Sequence, residues 1–173
     1  MVRTIKEKVI YKLVIDQCSM KDEVFAEILD GCFKQCQMMK DGSIEVQYLT
    51  TLVYTSNEFG PKSLAIMTKL LPGFVDFTFS TISEKGGFTR DIMCDIMKTI
   101  SLKCKKLIKI KISNINLNHR DMVNGICTIL KKSKMLQAID FSWASLSPKS
   151  LSLISKNFEQ RLKSLRSINM SYN

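Results

Sequence analysis

An eleven-residue pattern of apolar side chains recurs along this chain of 173 residues and limits its fold more than any other feature. Between Leu107 and Leu117, apolar residues occupy positions 1, 4, 6, 9 and 11 of the pattern. All copies have an apolar or aromatic residue at positions 1, 4 and 6. In chain order, copies 1 to 6 begin at Ile10, Leu49, Phe74, Leu107, Leu136 and Leu165. The last three copies are 29 residues apart, so we expect one structural unit used repeatedly.

Each copy predicts a strand followed by a helix. Positions 4 and 6 alternate as in a strand with one buried face. Between copies the apolar period becomes helical. The predicted helix stripes are Val24, Phe25, Ile28, Leu29 and Phe33; Ile92, Met93, Ile96, Met97 and Ile100; and Met122, Ile126, Ile129 and Leu130. Helix starts are predicted at Gly60-Pro61 and Ser147-Pro148, with Thr89 and Asn118 as further N-caps. Strands joined by helical crossovers predict parallel pairing.

The pattern resembles the leucine-rich repeat family, whose unit reads L-x-x-L-x-L-x-x-N/C-x-L. The 29-residue spacing and the stretches Ile-Asp-Phe-Ser and Ile-Asn-Met-Ser are most similar to the ribonuclease-inhibitor type. The resemblance implies an α/β leucine-rich repeat solenoid with a curved parallel sheet inside and helices outside. Position 9 departs from the family pattern at Ile82, Ile115 and Ala144, so the asparagine ladder is incomplete. A doubly wound α/β sheet is the alternative fold, but the sequence has no glycine-rich phosphate loop.

The resemblance places positions 3, 5, 7 and 8 on the concave sheet face. Trp143 and Tyr172 occupy position 8 of copies 5 and 6, and Trp143 is the one tryptophan in the chain. Such a pair is typical of an interface hot spot. The alternative is that Trp143 folds over the strand edge and packs on its neighbours. The remaining predicted partner-binding residues, at positions 3 and 5, are Lys109, Lys111, Asp140 and Asn169.

The net charge of +10 is concentrated partly in lysines that precede strands. Stacked copies would align them into a basic rim, whose predicted members are Lys103, Lys105, Lys106, Lys131, Lys132, Lys134, Arg161 and Lys163. Cations near helix C-termini also complement the helix dipole, which is the alternative role for this rim. The rim therefore suggests a protein partner with an acidic surface, or less favourably the phosphates of a nucleic acid.

No catalytic constellation is predicted. The chain has one histidine, His119, which lies at a predicted helix start. The six cysteines are predicted to be free thiols, because several lie among apolar residues and no secretory signal precedes them. We expect no metal site, no cofactor and no membrane span. These features favour an intracellular protein, cytoplasmic or alternatively nuclear.

The sequence therefore predicts one leucine-rich repeat domain over residues 1–173, with about six repeats. We expect a non-enzymatic protein-interaction scaffold or a structural subunit of a larger complex. The alternative is a basic component of a ribonucleoprotein particle. Because the pattern stops at position 9 of copy 6, we also expect a solenoid that is incomplete at its C-terminal end and part of a longer array or assembly.

Overall fold

A computed structural model describes residues 9–40, 44–158 and 164–173. Its strands are β1 (Lys12–Asp16), β2 (Gln37–Met38), β3 (Ile44–Val46), β4 (Thr51–Thr55), β5 (Asp76–Ser80), β6 (Lys109–Ser113), β7 (Ala138–Asp140) and β8 (Ser167–Asn169). Within the described residues, β1, β4, β5, β6, β7 and β8 form a sheet in that order. Every pairing in this sheet is parallel, as the strand–helix alternation predicts.

Helices connect the parallel strands. They are α1 (Asp22–Phe33), α2 (Pro61–Leu70), α3 (Arg90–Lys103), α4 (Arg120–Lys132) and α5 (Pro148–Ser155), with short 3₁₀ segments at Leu71–Gly73 and Glu84–Gly86. The predicted starts at Pro61 and Pro148 are confirmed, and Thr89 caps α3 by accepting the N–H of Ile92. The predicted cap at Asn118 is wrong. His119 is the N-cap of α4, and the side-chain Oδ1 of Asn118 instead accepts the N–H of Ser147 ahead of α5.

The strand register aligns equivalent positions of successive copies. Position 3 forms one continuous row of paired residues, Lys12, Thr51, Asp76, Lys109, Ala138 and Ser167. Position 5 forms a second row, Val14, Val53, Thr78, Lys111, Asp140 and Asn169. The face that carries these rows points away from the helices and is called the open face below. The predicted columns of adjacent side chains are therefore present.

Positions 4 and 6 build the core between sheet and helices. Leu52, Tyr54, Phe77 and Phe79 are fully buried in β4 and β5, and Tyr54 stacks on Phe25 of α1 with 3.8 Å between ring centroids. Isoleucines take the same positions in β6, where they are also fully buried. The predicted stripes of α3 and α4 are buried, whereas Val24 of α1 is exposed. The core is thus aromatic at β4 and β5 and aliphatic at β6.

The two ends of the sheet differ from its centre. Ile139 of β7 is 1% exposed, but the equivalent Ile168 of β8 is 43% exposed. Near the other end, the longer interval between copies 1 and 2 contains an antiparallel ribbon of β2 and β3. The sequence pattern did not predict this ribbon, because its strands are too short to show alternation.

One helix is capped from the preceding copy. The carboxylate of Asp22, buried in the first turn of α1, accepts the backbone N–H groups of Gly60, Lys62 and Ser63 at the start of α2. A Cβ on Gly60 would lie 2.8 Å from this carboxylate and 2.1 Å from the carbonyl oxygen of Gly86. Gly60 therefore has no room for a side chain, and Asp22 supplies the cap that glycine cannot.

Candidate functional site

The carboxyl edge of the sheet repeats one backbone conformation. Position 8 has a left-handed backbone in every copy, with φ between 51° and 58°, at Gln17, Ser56, Thr81, Asn114, Trp143 and Tyr172. In copies 1 to 5 its N–H donates to the position 7 carbonyl of the next copy, over 3.0–3.2 Å. This backbone conformation places the side chain at position 8 beside the side chain at position 8 of the next copy. Because non-glycine residues adopt this conformation only under constraint, the hydrogen-bond ladder holds these side chains in place.

Trp143 and Tyr172 form a stacked pair at this edge. Their ring centroids are 4.3 Å apart and their planes are inclined by 18°. Trp143 is 56% exposed and Tyr172 is 70% exposed, although both rings are large and apolar. Trp143 therefore packs on its partner ring rather than over the core. The pair is a pre-ordered aromatic surface that is open to solvent.

The predicted lysines of the open face are paired with carboxylates. Lys111 Nζ lies 3.4 Å from Asp140, and Lys109 Nζ lies 3.9 Å from Asp76. The Asp76 contribution was not predicted, although Asp76 and Lys109 occupy position 3 of adjacent copies and the pattern itself gives that contact. These pairs leave little net charge around the aromatic pair. The open face consequently presents hydrogen-bonding groups rather than a basic groove, and the two aromatic rings lie at its carboxyl edge.

Asp140 and Asn169 make equivalent contacts in copies 5 and 6. Asp140 Oδ1 accepts the backbone N–H of Ser142 and its hydroxyl, and Asn169 Oδ1 accepts the same two groups of Ser171. Burial raises the pKa of Asp140, but the Ser142 hydrogen bonds and the Lys111 charge together outweigh it and hold that pKa below its usual range. Both contacts fix the last residues before Trp143 and Tyr172. Of the four predicted polar residues, Asp140 and Asn169 therefore hold the turns that carry the aromatic pair, whereas Lys111 pairs with Asp140 and Lys109 pairs with Asp76.

Two turns at this edge are clamped by asparagine. Asn57 Oδ1 accepts the N–H groups of Cys18 and Met20, and Asn57 Nδ2 donates to two backbone carbonyls. Asn173 Oδ1 accepts the equivalent N–H groups of Ala144 and Leu146. Asn173 thus fixes the turn that carries Trp143. Position 9 of copies 2 and 6 is therefore an asparagine that binds the preceding turn, as in the asparagine ladder of the family pattern. In copies 3, 4 and 5 position 9 is apolar, and the ladder is interrupted there.

The predicted rim lies at the opposite edge, where helices end and strands begin. Lys103 is in the last turn of α3, and Lys131 and Lys132 are in the last turn of α4. Lys105, Lys106 and Lys134 lie in the loops that follow these helices. Lys69, at the end of α2, extends the row and was not predicted. Arg161 and Lys163 lie outside the described residues.

The structure brings Cys94 close to His119, a contact that the sequence did not predict. Cys94 Sγ lies 3.8 Å from His119 Nδ1, and the same ring nitrogen lies 3.8 Å from Asp121 Oδ2. A nucleophile–base–acid relay requires the carboxylate on the other ring nitrogen. Burial, with help from the Asp121 and Asp91 charges, also raises the pKa of Cys94. The contact therefore lacks the geometry and the thiolate of an activated cysteine.

Of the other five thiols, Cys18 is exposed and the rest are those of buried packing residues. The six cysteines are free, and four of them are buried. Burial raises the pKa of the Cys104 thiol to about 12 and that of Cys32 to about 11. Within residues 9–40, 44–158 and 164–173, no cluster of three metal-ligating side chains occurs. No helix in that part of the chain is both long and apolar enough to cross a bilayer.

No family model matches this sequence, and no curated protein matches it. Among solved structures, the tropomodulin C-terminal domain of Caenorhabditis elegans is similar in fold, with a TM-score of 0.62. The alignment covers 94% of this chain and 91% of that domain, at 8% sequence identity. At that identity the likeness shows the fold alone: a mixed α/β architecture with a parallel sheet backed by helices.

Proposed function

We propose that this chain is a non-enzymatic, intracellular leucine-rich repeat module of six repeats that binds a partner protein through its open face. The aligned register, the left-handed residue at position 8 of every copy and the two asparagine clamps support the repeat assignment. The free thiols support a reducing compartment. The unactivated Cys94–His119 contact supports a binding role rather than catalysis.

The observation that carries the proposal is the exposed stack of Trp143 and Tyr172. Aromatic side chains dominate the binding energy of protein interfaces. A pair that is already stacked loses little rotamer freedom when a partner covers it, and this lowers the entropic cost of binding. Because Lys109 and Lys111 are paired with carboxylates, the partner surface that covers this region is expected to be apolar and hydrogen-bonding rather than strongly charged.

The test compares partner capture by three proteins. The three proteins are wild type, the double variant Trp143→Ala/Tyr172→Ala and the control Tyr11→Ala. Each is immobilised and incubated with an extract of cells that naturally express this protein. Tyr11 is 61% exposed but lies at the opposite end of the strands, so its loss should be neutral. We expect a partner that is retained by wild type and the control, and that binds the double variant weaker by about 2 kcal/mol or more.

Unchanged affinity of the captured partner for the double variant would refute the aromatic interface. The fold should persist in that variant, because both rings are largely exposed. A large fall in thermal unfolding temperature would instead show that the pair is a packing feature. Circular dichroism and thermal unfolding of the three proteins therefore accompany the capture experiment.

A further inference from the structure

The edge opposite the aromatic pair carries two adjacent cavities. One of about 710 Å³ is lined by the ribbon strands and by the ends of α1, α2 and α3. The second, of about 530 Å³, lies between the ends of α3 and α4. Lysines from three successive helix ends line them, and we call this set the basic edge: Lys69, Lys103, Lys105, Lys106, Lys131, Lys132 and Lys134.

The helix dipole accounts for only part of the basic edge. Cations in the last turn of a helix interact favourably with its terminal carbonyl groups. That role fits the lysines in the last turns of α2, α3 and α4. Lys105, Lys106 and Lys134 come after the buried residues Cys104 and Ser133, which already end α3 and α4. The helix dipole therefore does not account for the positions of these three lysines.

The three loop lysines are also not neutralised. None of them forms an ion pair with a described residue, whereas the lysines of the open face do. No carboxylate is among the described residues lining the second cavity. Residues 101–173 contain 14 Lys and Arg but three Asp and Glu, while residues 1–100 contain 12 and 13. The excess positive charge of the chain thus lies in residues 101–173, which supply all four described lysines that line this cavity.

The basic edge combines charge with apolar surface. Leu102, 51% exposed, lines the second cavity, and Phe33, Met38 and Ile44 line the first. Lys69 Nζ lies 5.1 Å from the centroid of the Phe33 ring, so a face of that ring is covered by a cation. Among the described residues that line the two cavities, Phe33 is the only aromatic one, so this edge offers no open ring for the base stacking that single-stranded nucleic acids need. Aliphatic surface between lysines fits an amphipathic acidic peptide better.

We propose that the basic edge is a docking site for an acidic, extended peptide segment of a partner protein that carries apolar side chains between its carboxylates. Its carboxylates pair with Lys105, Lys106 and Lys134, and its apolar side chains contact Leu102 and the wall formed by Phe33 and Ile44. This site is separate from the open face, because Trp143 and Tyr172 lie at the other ends of the strands. Each of the two proposals can therefore fail without the other.

The test measures fluorescence anisotropy of a short labelled peptide in which glutamates alternate with leucines and serines. The variant is Lys105→Gln/Lys106→Gln/Lys134→Gln. A matched control, Lys21→Gln/Lys40→Gln/Lys85→Gln, removes the same charge from exposed lysines that line neither cavity. We expect the basic-edge variant to bind roughly tenfold more weakly than wild type, and the control to bind within about twofold, since each exposed ion pair contributes modestly.

Three further ligands and two further protein variants decide the outcome. Replacing the glutamates of the peptide by glutamine should abolish binding, and replacing its leucines by serine should weaken it. A thymidine oligonucleotide of equal charge should bind more weakly than the peptide at physiological ionic strength. Equal or tighter binding of the oligonucleotide would replace the peptide by nucleic acid as the ligand. Equal loss in the control variant would show non-specific attraction to a basic molecule and would overturn the proposal, whereas the Trp143→Ala/Tyr172→Ala variant should bind the peptide normally.

Discussion

The turns after β1 and β7 differ from those after β4, β5 and β6, although all five follow the same sequence pattern. In the first group, a second left-handed residue, Ser19 or Ser145, follows two positions after the first. The two left-handed residues direct two N–H groups to one asparagine of the next copy. In the second group the turn has one left-handed residue, and neighbouring turns bond through their backbones instead.

Position 9 of the following copy accounts for this difference. Asn57 and Asn173 follow the clamped turns, whereas Ile82, Ile115 and Ala144 follow the others. An apolar side chain offers no hydrogen-bond acceptor, so the N–H groups of these turns must bond to backbone carbonyls of neighbouring turns. The N–H of Ser83 donates to the Asn57 carbonyl, and the N–H of Leu117 donates to the Ala144 carbonyl. The residue type at position 9 thus goes together with the backbone conformation of the preceding turn.

The largest expected effect breaks a clamp. Asn57 is 1% exposed, so Asn57→Ala removes a buried amide that accepts the N–H groups of Cys18 and Met20 and donates to the carbonyls of Ile15 and Thr55. Each buried unsatisfied group costs about 1–3 kcal/mol, and we expect a loss of about 3 kcal/mol in the free energy of unfolding. Urea unfolding followed by circular dichroism measures it.

Asn173→Ala is the matched control, since it removes the same hydrogen bonds at an exposed site. Water can replace the lost amide there, and we expect a loss of about 1 kcal/mol or less. Equal losses in the two variants would show that burial does not separate the clamps. An unchanged stability of Asn57→Ala would show that the clamp follows the turn conformation rather than setting it.

Much of the fold was predictable because it depends on side-chain periodicity. The spacing of positions 4 and 6 gave the buried residues of the strands, and the register then aligned equivalent positions such as Lys111 and Asp140. The least accurate prediction of a buried helix stripe is that of α1, because it includes Val24, which is exposed. Whether Val24 is buried depends on other elements of the structure and not on the sequence of its own helix. Periodicity indicates which face of a helix is buried, but not how much of that face the neighbouring elements contact.

The candidate site was less predictable because it depends on contacts between copies. The prediction placed Trp143 and Tyr172 in one column, but not their stacking, which requires the left-handed backbone at position 8. No residue type marks that conformation here, because it occurs at glutamine, serine, threonine, asparagine, tryptophan and tyrosine. The cap that Asp22 gives α2 spans about one copy and has no local signature.

A smaller effect, of opposite sign, concerns the unclamped turns. Thr81 is β-branched and exposed, and it has a left-handed backbone with φ of 53°. Asn114 occupies the same position in the next copy without β-branching, and asparagine tolerates this conformation better. We expect Thr81→Asn to raise the free energy of unfolding by about 0.5–1 kcal/mol in urea unfolding. A destabilised variant would mean that the Thr81 side chain makes a contribution larger than its backbone strain.

The smallest effect concerns the clamped turn after β7, where Asp140 does as a carboxylate what Asn169 does as an amide in the next copy. Because the folded state lowers the pKa of Asp140, its ionised form stabilises the fold. That contribution is complete above the unfolded-state pKa of about 4 and is lost as the pH falls through the lower, folded-state pKa. Asp140→Asn keeps an acceptor for Ser142 but removes the titration. We expect wild type to exceed Asp140→Asn by about 0.5 kcal/mol near pH 6, and this difference to shrink toward zero near pH 2, in urea unfolding at both pH values. A difference that is constant with pH would mean that Asp140 stabilises the turn by shape alone, as Asn169 does.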